Sequence, residues 1–305
     1  MAAPGNGDFL DPNALSRLMG WPLHARMSML GSVSGRHRSP VRGSSIEFAE
    51  YRKYVPGDDL RRVDWRAWGR SDRYYIKEFE ADTNLRLCLV VDTSGSMNFQ
   101  PAQDAPTRLD YARRIAGTLA YLAAQQGDAV GLNCAGTDFN REITPKRGAA
   151  HMGVVLDTLA GMEASGETGL PGALHEAAEK VPQRALFIIV SDLFVQPDLL
   201  RDCFQHLRFR KHDVAVFHLL DEQELEFGFE RPTRFRDMEG ERTLLADPSL
   251  IAPQYRKALQ AYLDELDGAV RDAAVDYHRV RVQEPYEEVL ARFLIRRTPK
   301  KGGAR

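Results

Sequence analysis

Cysteine is scarce in this chain: three in 305 residues, at Cys88, Cys134 and Cys203. An odd, dispersed set argues against a disulfide framework or a cysteine metal cluster, and buried thiols in a reducing compartment are the simpler reading. No apolar window approaches the length of a membrane-spanning helix. The opening Met1-Ala-Ala-Pro-Gly-Asn-Gly-Asp has neither a basic region nor an apolar core, so no secretory leader is expected and the cytoplasm is the default location. Net charge is only −2, which leaves no global field to draw the chain to nucleic acid or anionic lipid.

Catalytic signatures are missing too. There is no Gly-rich loop ending in Gly-Lys-Ser/Thr for nucleotide phosphates. Gly-x-Ser-x-Gly does not occur, and no histidine is placed after a later strand to serve Ser94. His175-Glu176-Ala-Ala-Glu179 has Glu where a zinc helix needs its second His, so it reads as a solvated helix face. The basic residues between Arg52 and Lys77 are balanced by Asp58, Asp59, Asp64, Asp72 and Glu78. Phosphate binding needs an uncompensated positive track, so nucleic acid is not an expected partner. The expectation is a protein that is not an enzyme.

What is present is a soluble composition, 43% hydrophobic and 28% charged, over a length sufficient for one large domain or two smaller ones. The apolar run Leu87-Cys88-Leu89-Val90-Val91 has no polar face and reads as a strand covered on both sides. It ends in Asp92-Thr93-Ser94-Gly95-Ser96. In open α/β sheets ligands bind where strands end. Here that loop offers a carboxylate and two hydroxyls at alternating positions, the hard oxygen donors that Mg²⁺ takes.

Further strands are expected at Ala129–Ala135, Arg184–Asp192, Asp213–Asp221 and Val275–Val282, with a short edge strand at Ile143–Lys146. Helical spacing covers Thr107–Gln126, a helix around Val154–Leu159, one running to Lys180, then Leu199–Phe209, Leu250–Val270 and Tyr286–Ile295. The segment Glu222–Arg236 reads as a long loop or edge hairpin. This alternation predicts an α/β fold, a mostly parallel sheet with helices on both faces, preceded by a small β-containing region. Near the start, Pro12 opens a short helix, and Leu23–Leu30 continues as a second one. Gly31–Gly43 is rich in Ser, Gly and Arg and reads as an irregular connector. Tyr74–Glu80 is an expected strand and Asp82-Thr83-Asn84 a turn. The expected organisation is a flexible or helical lead over 1–43, a charged and aromatic region over 44–84 packed on the main domain, the α/β domain over 85–297, and a basic tail over 298–305.

The spacing of Asp92, Ser94 and Ser96 after a buried strand resembles the metal-ion-dependent adhesion site of von Willebrand factor type A domains. The resemblance implies a Rossmann-like fold, one Mg²⁺, and Asp192 as a distal ligand. It also implies a threonine from the middle loop and a partner's carboxylate completing the shell. Thr168 is the candidate threonine, although aligning Gly166-Glu167-Thr168-Gly169-Leu170 with the usual Gly-x-Thr-x-Thr puts Leu170 at the metal-binding position. Thr168 would then need a shifted backbone to reach. The structural alternative has Asp92 capping the loop and Ser94 and Ser96 bonding backbone N–H groups at the following helix start.

A second block is similar to the hallmark of the DUF58 family: Arg52, Tyr54, Pro56, Gly57, Asp58, Asp59, Arg61, Asp64, Trp65 and Arg70, followed by a von Willebrand factor A-like domain. The family usually has Ile before Asp-Trp and Ala before the last Arg; here Val63 and Gly69 stand there. The resemblance implies a protein-binding adaptor working with a MoxR-type AAA+ ATPase. Two alternatives stand beside it: a metal-dependent hydrolase of phosphoesters using Asp92 and Asp192, and a structural scaffold with a degenerate metal site.

Overall fold

The computed structural model describes residues 9–26, 33–38, 47–53, 74–80, 82–83, 85–100, 105–229, 231–240 and 242–298, with backbone alone for 33–38, 47–53, 75–80 and 82–83. Two compact units divide the chain: Ser28–Leu85, and Met1–Met27 together with Arg86–Arg305.

The smaller unit holds two antiparallel strand pairs. β1 (Val33–Arg38) pairs with β4 (Asp82–Thr83), and β2 (Glu47–Lys53) pairs with β3 (Tyr75–Glu80). This is the expected β-containing region. Two local readings are corrected by it. Residues 33–38 were expected as irregular connector and are strand; residues 82–83 were expected as turn and are strand. Each finds its partner far along the chain, and such pairing overrides a loop-like local composition.

In the larger unit, α1 (Pro12–Leu18) starts at Asp11, whose side chain accepts from the Asn13 N–H, with Pro12 in the first turn. The second helix expected from Leu23 is not formed over residues 23–26. Leu23 is fully buried there, and the backbone bonds outward rather than along a helix. The N–H of Arg26 donates to Asp213 Oδ2 at 2.7 Å, and the His24 carbonyl accepts from Arg297 at 3.1 Å. Residues 27–30 lie outside the described residues.

The core is a six-stranded sheet. β5 (Arg86–Val91), β6 (Ala129–Ala135), β8 (Leu186–Ser191), β9 (Asp213–Leu220) and β12 (Asp276–Arg281) are parallel, and β7 (Asn140–Lys146) closes one edge antiparallel to β6. The spatial order is β12-β9-β8-β5-β6-β7. Every residue of β6, β8 and β9 is buried, because helices cover both faces, whereas β7 is largely exposed. Those helices are α2 (Arg108–Gln125), α3 (Ala149–Ala160), α4 (Leu170–Lys180), α5 (Pro197–Phe209), α7 (Pro248–Asp272) and α8 (Tyr286–Arg297). α2 begins on a reciprocal cap between Thr107 and Asp110.

The Glu222–Arg236 segment is a short helix, α6 (Glu222–Glu226), followed by β10 (Thr233–Arg236). β10 pairs with β11 (Thr243–Ala246) in a hairpin separate from the main sheet.

One consequence of the strand order positions the site. From β5 the chain passes to β6 on one side, while from β8 it passes to β9 on the other. The loops leaving β5 and β8 therefore part at this switch point, where α/β sheets open a ligand crevice.

Candidate metal centre

Asp92 follows β5 directly and is fully buried. Its N–H extends the ladder to the Val190 carbonyl at 3.0 Å. One carboxylate oxygen, Oδ1, accepts from the Ser94 N–H at 3.0 Å; the other, Oδ2, accepts from the Ser191 hydroxyl at 2.7 Å. The Ser94 and Ser96 hydroxyls stand 3.1 Å apart. Ser94 precedes a single 3-10 turn, Gly95–Asn98, yet makes no side-chain capping bond to it. Its hydroxyl faces Ser96 instead of closing the turn.

The middle loop is fastened against this one. Gly95 N–H donates to the Gly166 carbonyl at 2.9 Å, Ser165 N–H to the Thr93 carbonyl at 3.0 Å, and Gly169 N–H to the Ala135 carbonyl at 3.2 Å. Gly166 has φ +70°, which suits glycine. So held, the loop brings Thr168 Oγ1 to 3.5 Å from Asp92 Oδ1 and 3.3 Å from Oδ2. Leu170 is the first residue of α4, with its side chain fully buried in the core. Thr168 therefore reaches Asp92 in the loop as it is built, and Leu170 packs the helix.

Asp192 follows β8. Its Oδ2 accepts from Arg108 Nη1 at 2.8 Å with both side chains shielded from water, and its Oδ1 from the Phe194 N–H at 3.4 Å. Arg108 also ion-pairs with Glu224 of α6 and lies 4.8 Å over the Phe99 ring. The next residue, Leu193, has φ 54°, in the left-handed region that β-carbon-bearing residues avoid. Burial, and then the negative charge of Asp192, push the Asp92 pKa up to about 6, against the hydrogen bonds from Ser191 and Ser94.

The structure thus brings Asp92, Ser94, Ser96, Thr168 and Asp192 to the carboxyl edge of the sheet. Of the DUF58-like residues, Arg52 lies on β2. Tyr54, Pro56, Gly57, Asp58, Asp59, Arg61, Asp64, Trp65 and Arg70 lie outside the described residues. Among the described residues no group of three or more His, Cys, Asp or Glu side chains is arranged to hold a metal, so a site here draws on hydroxyls. That donor set fits a hard cation. Two repelling carboxylates, three hydroxyls and room for water are the chemistry Mg²⁺ takes. Asp92, Ser94, Ser96, Thr168 and Asp192 would hold such an ion directly or through water.

Four contributors escaped sequence reasoning: Ser191, Arg108, Glu224 and Glu239. Ser191 sat in plain view before Asp192, but nothing local marks a strand-end serine as a donor to another strand's acid. Arg108 and Glu224 find their partners across long stretches of chain. Glu239 belongs to the β10–β11 turn and joins Ser96, Arg108 and Asp192 in lining a cleft of about 840 Å³ beside the site. Phe227 and Tyr255, stacked at 4.4 Å, line the same cleft. The His175 face is also more than solvated. His175 Nδ1 lies 2.8 Å from His206 Nδ1, and His206 Nε2 lies 2.8 Å from Glu179 Oε1.

A mostly parallel sheet, covered on both faces and carrying Asp-x-Ser-x-Ser at its switch point, defines a von Willebrand factor A-like domain. The chain belongs to the DUF58 family, described as protein of unknown function DUF58, whose profile matches residues 50–264. It is 25% identical over 297 residues to uncharacterized protein Rv1480 of Mycobacterium tuberculosis, covering 95% of this chain and 92% of that one. Among solved structures it is similar to the conserved hypothetical protein BatB from Bacteroides thetaiotaomicron, with TM-score 0.47 and 18% identity over 70% of this chain and 98% of that one. It is also similar to the SpRpn10 VWA domain, with TM-score 0.42 and 12% identity over 73% of this chain and all of that one (100%). Among the described residues no helix is long and apolar enough to cross a membrane.

Proposed function

We propose that this chain is a non-enzymatic protein-binding module whose switch-point loops hold Mg²⁺ and capture an acidic side chain of a partner. One observation carries the reading. A fully buried Asp92 carboxylate accepts from the Ser94 N–H and the Ser191 hydroxyl, with Thr168 Oγ1 3.3 Å away and the paired Ser94 and Ser96 hydroxyls on the same loop. Mg²⁺ keeps several waters and takes few protein ligands, so a coordination position stays available for an incoming carboxylate. Following the DUF58 resemblance, the partner is a MoxR-type AAA+ ATPase, met in the cytoplasm.

The test is a calorimetric Mg²⁺ titration followed by binding to a MoxR-type AAA+ ATPase from the same organism, for wild type and Asp92→Ala. Mg²⁺ binding, with partner affinity that falls on removing either Mg²⁺ or the Asp92 carboxylate, is the expected result. An Asp92→Ala variant that binds the ATPase as wild type does would remove the metal-dependent reading. A turnover screen with Mg²⁺ and phosphoesters tests the assignment as non-enzymatic: activity lost with Asp92 or Asp192 would overturn it.

A further inference from the structure

The β10–β11 turn carries a carboxylate onto the candidate metal loop. Asp237 organises the turn. Its N–H donates to the Arg242 carbonyl at 2.8 Å, and its Oδ1 accepts from the Glu239 N–H at 3.0 Å. The turn is seated on Gly95 so closely that a β-carbon there would stand 2.0 Å from the Met238 carbonyl oxygen. This contact leaves Glu239 directed at the loop, with the Ser96 and Ser94 hydroxyls beside its carboxyl group. Its Oε1 is closed off from water and has no aligned hydrogen-bond partner among the described residues.

A carboxylate oxygen shut away without a donor is costly, and a cation is the partner that removes the cost. The surroundings agree. The neighbouring Arg108 is committed to Asp192 and Glu224.

We infer that Glu239 supplies a carboxylate oxygen to the metal ion from within the chain, at the coordination position an acidic partner would use. This rests on the proposed Mg²⁺-dependent capture of a partner acid and adds a condition to it: the partner must displace the hairpin turn. The chain then carries its own competitor, and hairpin position sets how readily the site accepts an outside carboxylate.

The experiment uses the full chain with Mn²⁺ as a paramagnetic substitute for Mg²⁺ and acetate as the carboxylate probe. Free Mn²⁺ is followed by electron paramagnetic resonance, and water on the bound ion by proton relaxation. Glu239→Gln keeps shape and removes charge; Glu239→Asp keeps charge and withdraws it by one methylene. Circular dichroism checks that both fold. Glu239→Gln is expected to weaken Mn²⁺ binding about tenfold and to leave more water on the ion. It should also let bound Mn²⁺ broaden the ¹³C resonance of acetate, which wild type resists. Glu239→Asp should fall between the two. If Glu239→Gln and Glu239→Asp both keep wild-type affinity, hydration and indifference to acetate while Asp92→Asn loses the ion, the Glu239 assignment is overturned and the metal site stands. If wild type binds no Mn²⁺, both readings fall together.

Discussion

Nη1 of Arg108 stands 2.8 Å from Oδ2 of Asp192, with 3% and 5% of the two side chains exposed. One acid of the candidate metal pair is thus neutralised by the protein, and Asp92 relies on neutral donors. Removing one member of a buried pair leaves an uncompensated charge, at a cost of about 3–5 kcal/mol. Arg108→Met should therefore lower stability by that order in chelator. Saturating Mg²⁺ should recover more of the loss in the variant than it adds to wild type, because the freed Asp192 meets the ion. Chemical unfolding with and without Mg²⁺ measures both effects; equal Mg²⁺ stabilisation in the two proteins would contradict the coupling.

Arg297 ties the chain's beginning to its end. Its side chain is fully buried and bonds Asp213 Oδ2 at 2.7 Å, Asp276 Oδ2 at 2.9 Å and the His24 carbonyl at 3.1 Å. Arg297→Met should cost about 3–5 kcal/mol and loosen the segment through Arg26, since Asp213 loses its buried cation while Asp276 keeps Arg26 at 2.9 Å. Hydrogen exchange should show the Arg26 amide, which donates to Asp213, losing protection first. Unchanged protection there would separate the segment from the ion-pair network.

Acid sensitivity should come in two stages. Burial holds His212 and His218 down at about 4, below the ordinary 6.5. Their folded pKa values are depressed, so the unfolded chain binds more protons between 6.5 and 4, and stability falls as pH drops through that window. Asp92 opposes this, because its pKa is raised to about 6 and the folded form takes up its proton more readily; the two histidines outweigh it. Asp276 acts later. Burial works to raise its pKa, but His278, whose Nε2 lies 3.0 Å away, and the charges of Arg297 and Arg26 overcome that and hold it at about 2. Its contribution is present above 3.8 and lost as pH falls from 3.8 towards 2. Urea unfolding at about pH 7, 5 and 3 should give successively lower stabilities; a maximum near 5 would show that Asp92 dominates.

Gly95→Ala adds one methyl group where 2.0 Å separates a β-carbon position from the Met238 carbonyl oxygen. Backbone has to move, at a cost of about 1–3 kcal/mol. The hairpin turn is the part expected to lift. Amide exchange over β10 and β11 should accelerate while β5 and β8 keep their protection. Acceleration confined to β5 would mean that the metal loop yields instead.

The sheet was legible because its signals are local. Leu87–Val91 has no polar face, and a strand buried on both sides has to look that way. Asp92 and Asp192 were legible as acids ending such runs. The neutralising cation was not, because Arg108 lies 84 residues from Asp192 in the chain, and a helix-start arginine is ordinarily a solvated charge. The Leu170 register pointed away from a competent threonine loop. Alignment by residue spacing does not see that Gly166 and Gly169 bond to Gly95 and Ala135, and those bonds carry Thr168 to Asp92. The helix expected beyond Leu23 failed for a similar reason: Arg26 and His24 find partners in Asp213 and Arg297, far from their own turn. Glu239 left no trace in the pattern, since an acid in a polar turn is unremarkable until the turn is seen resting on Gly95.

Leu193 holds a left-handed backbone at φ 54° with its side chain sealed in the core. Its N–H is bonded to Ser191 Oγ at 2.7 Å, and its carbonyl accepts the Tyr262 hydroxyl. Such a conformation costs about 1–3 kcal/mol and persists because the surroundings enforce it. The bonds and packing around Leu193 therefore hold the loop bearing Asp192 in its observed shape. The Mg²⁺ of the proposed function would meet an acid already held in place, and shedding the ion's own hydration water, which Mg²⁺ gives up reluctantly, would then be the slow event in loading.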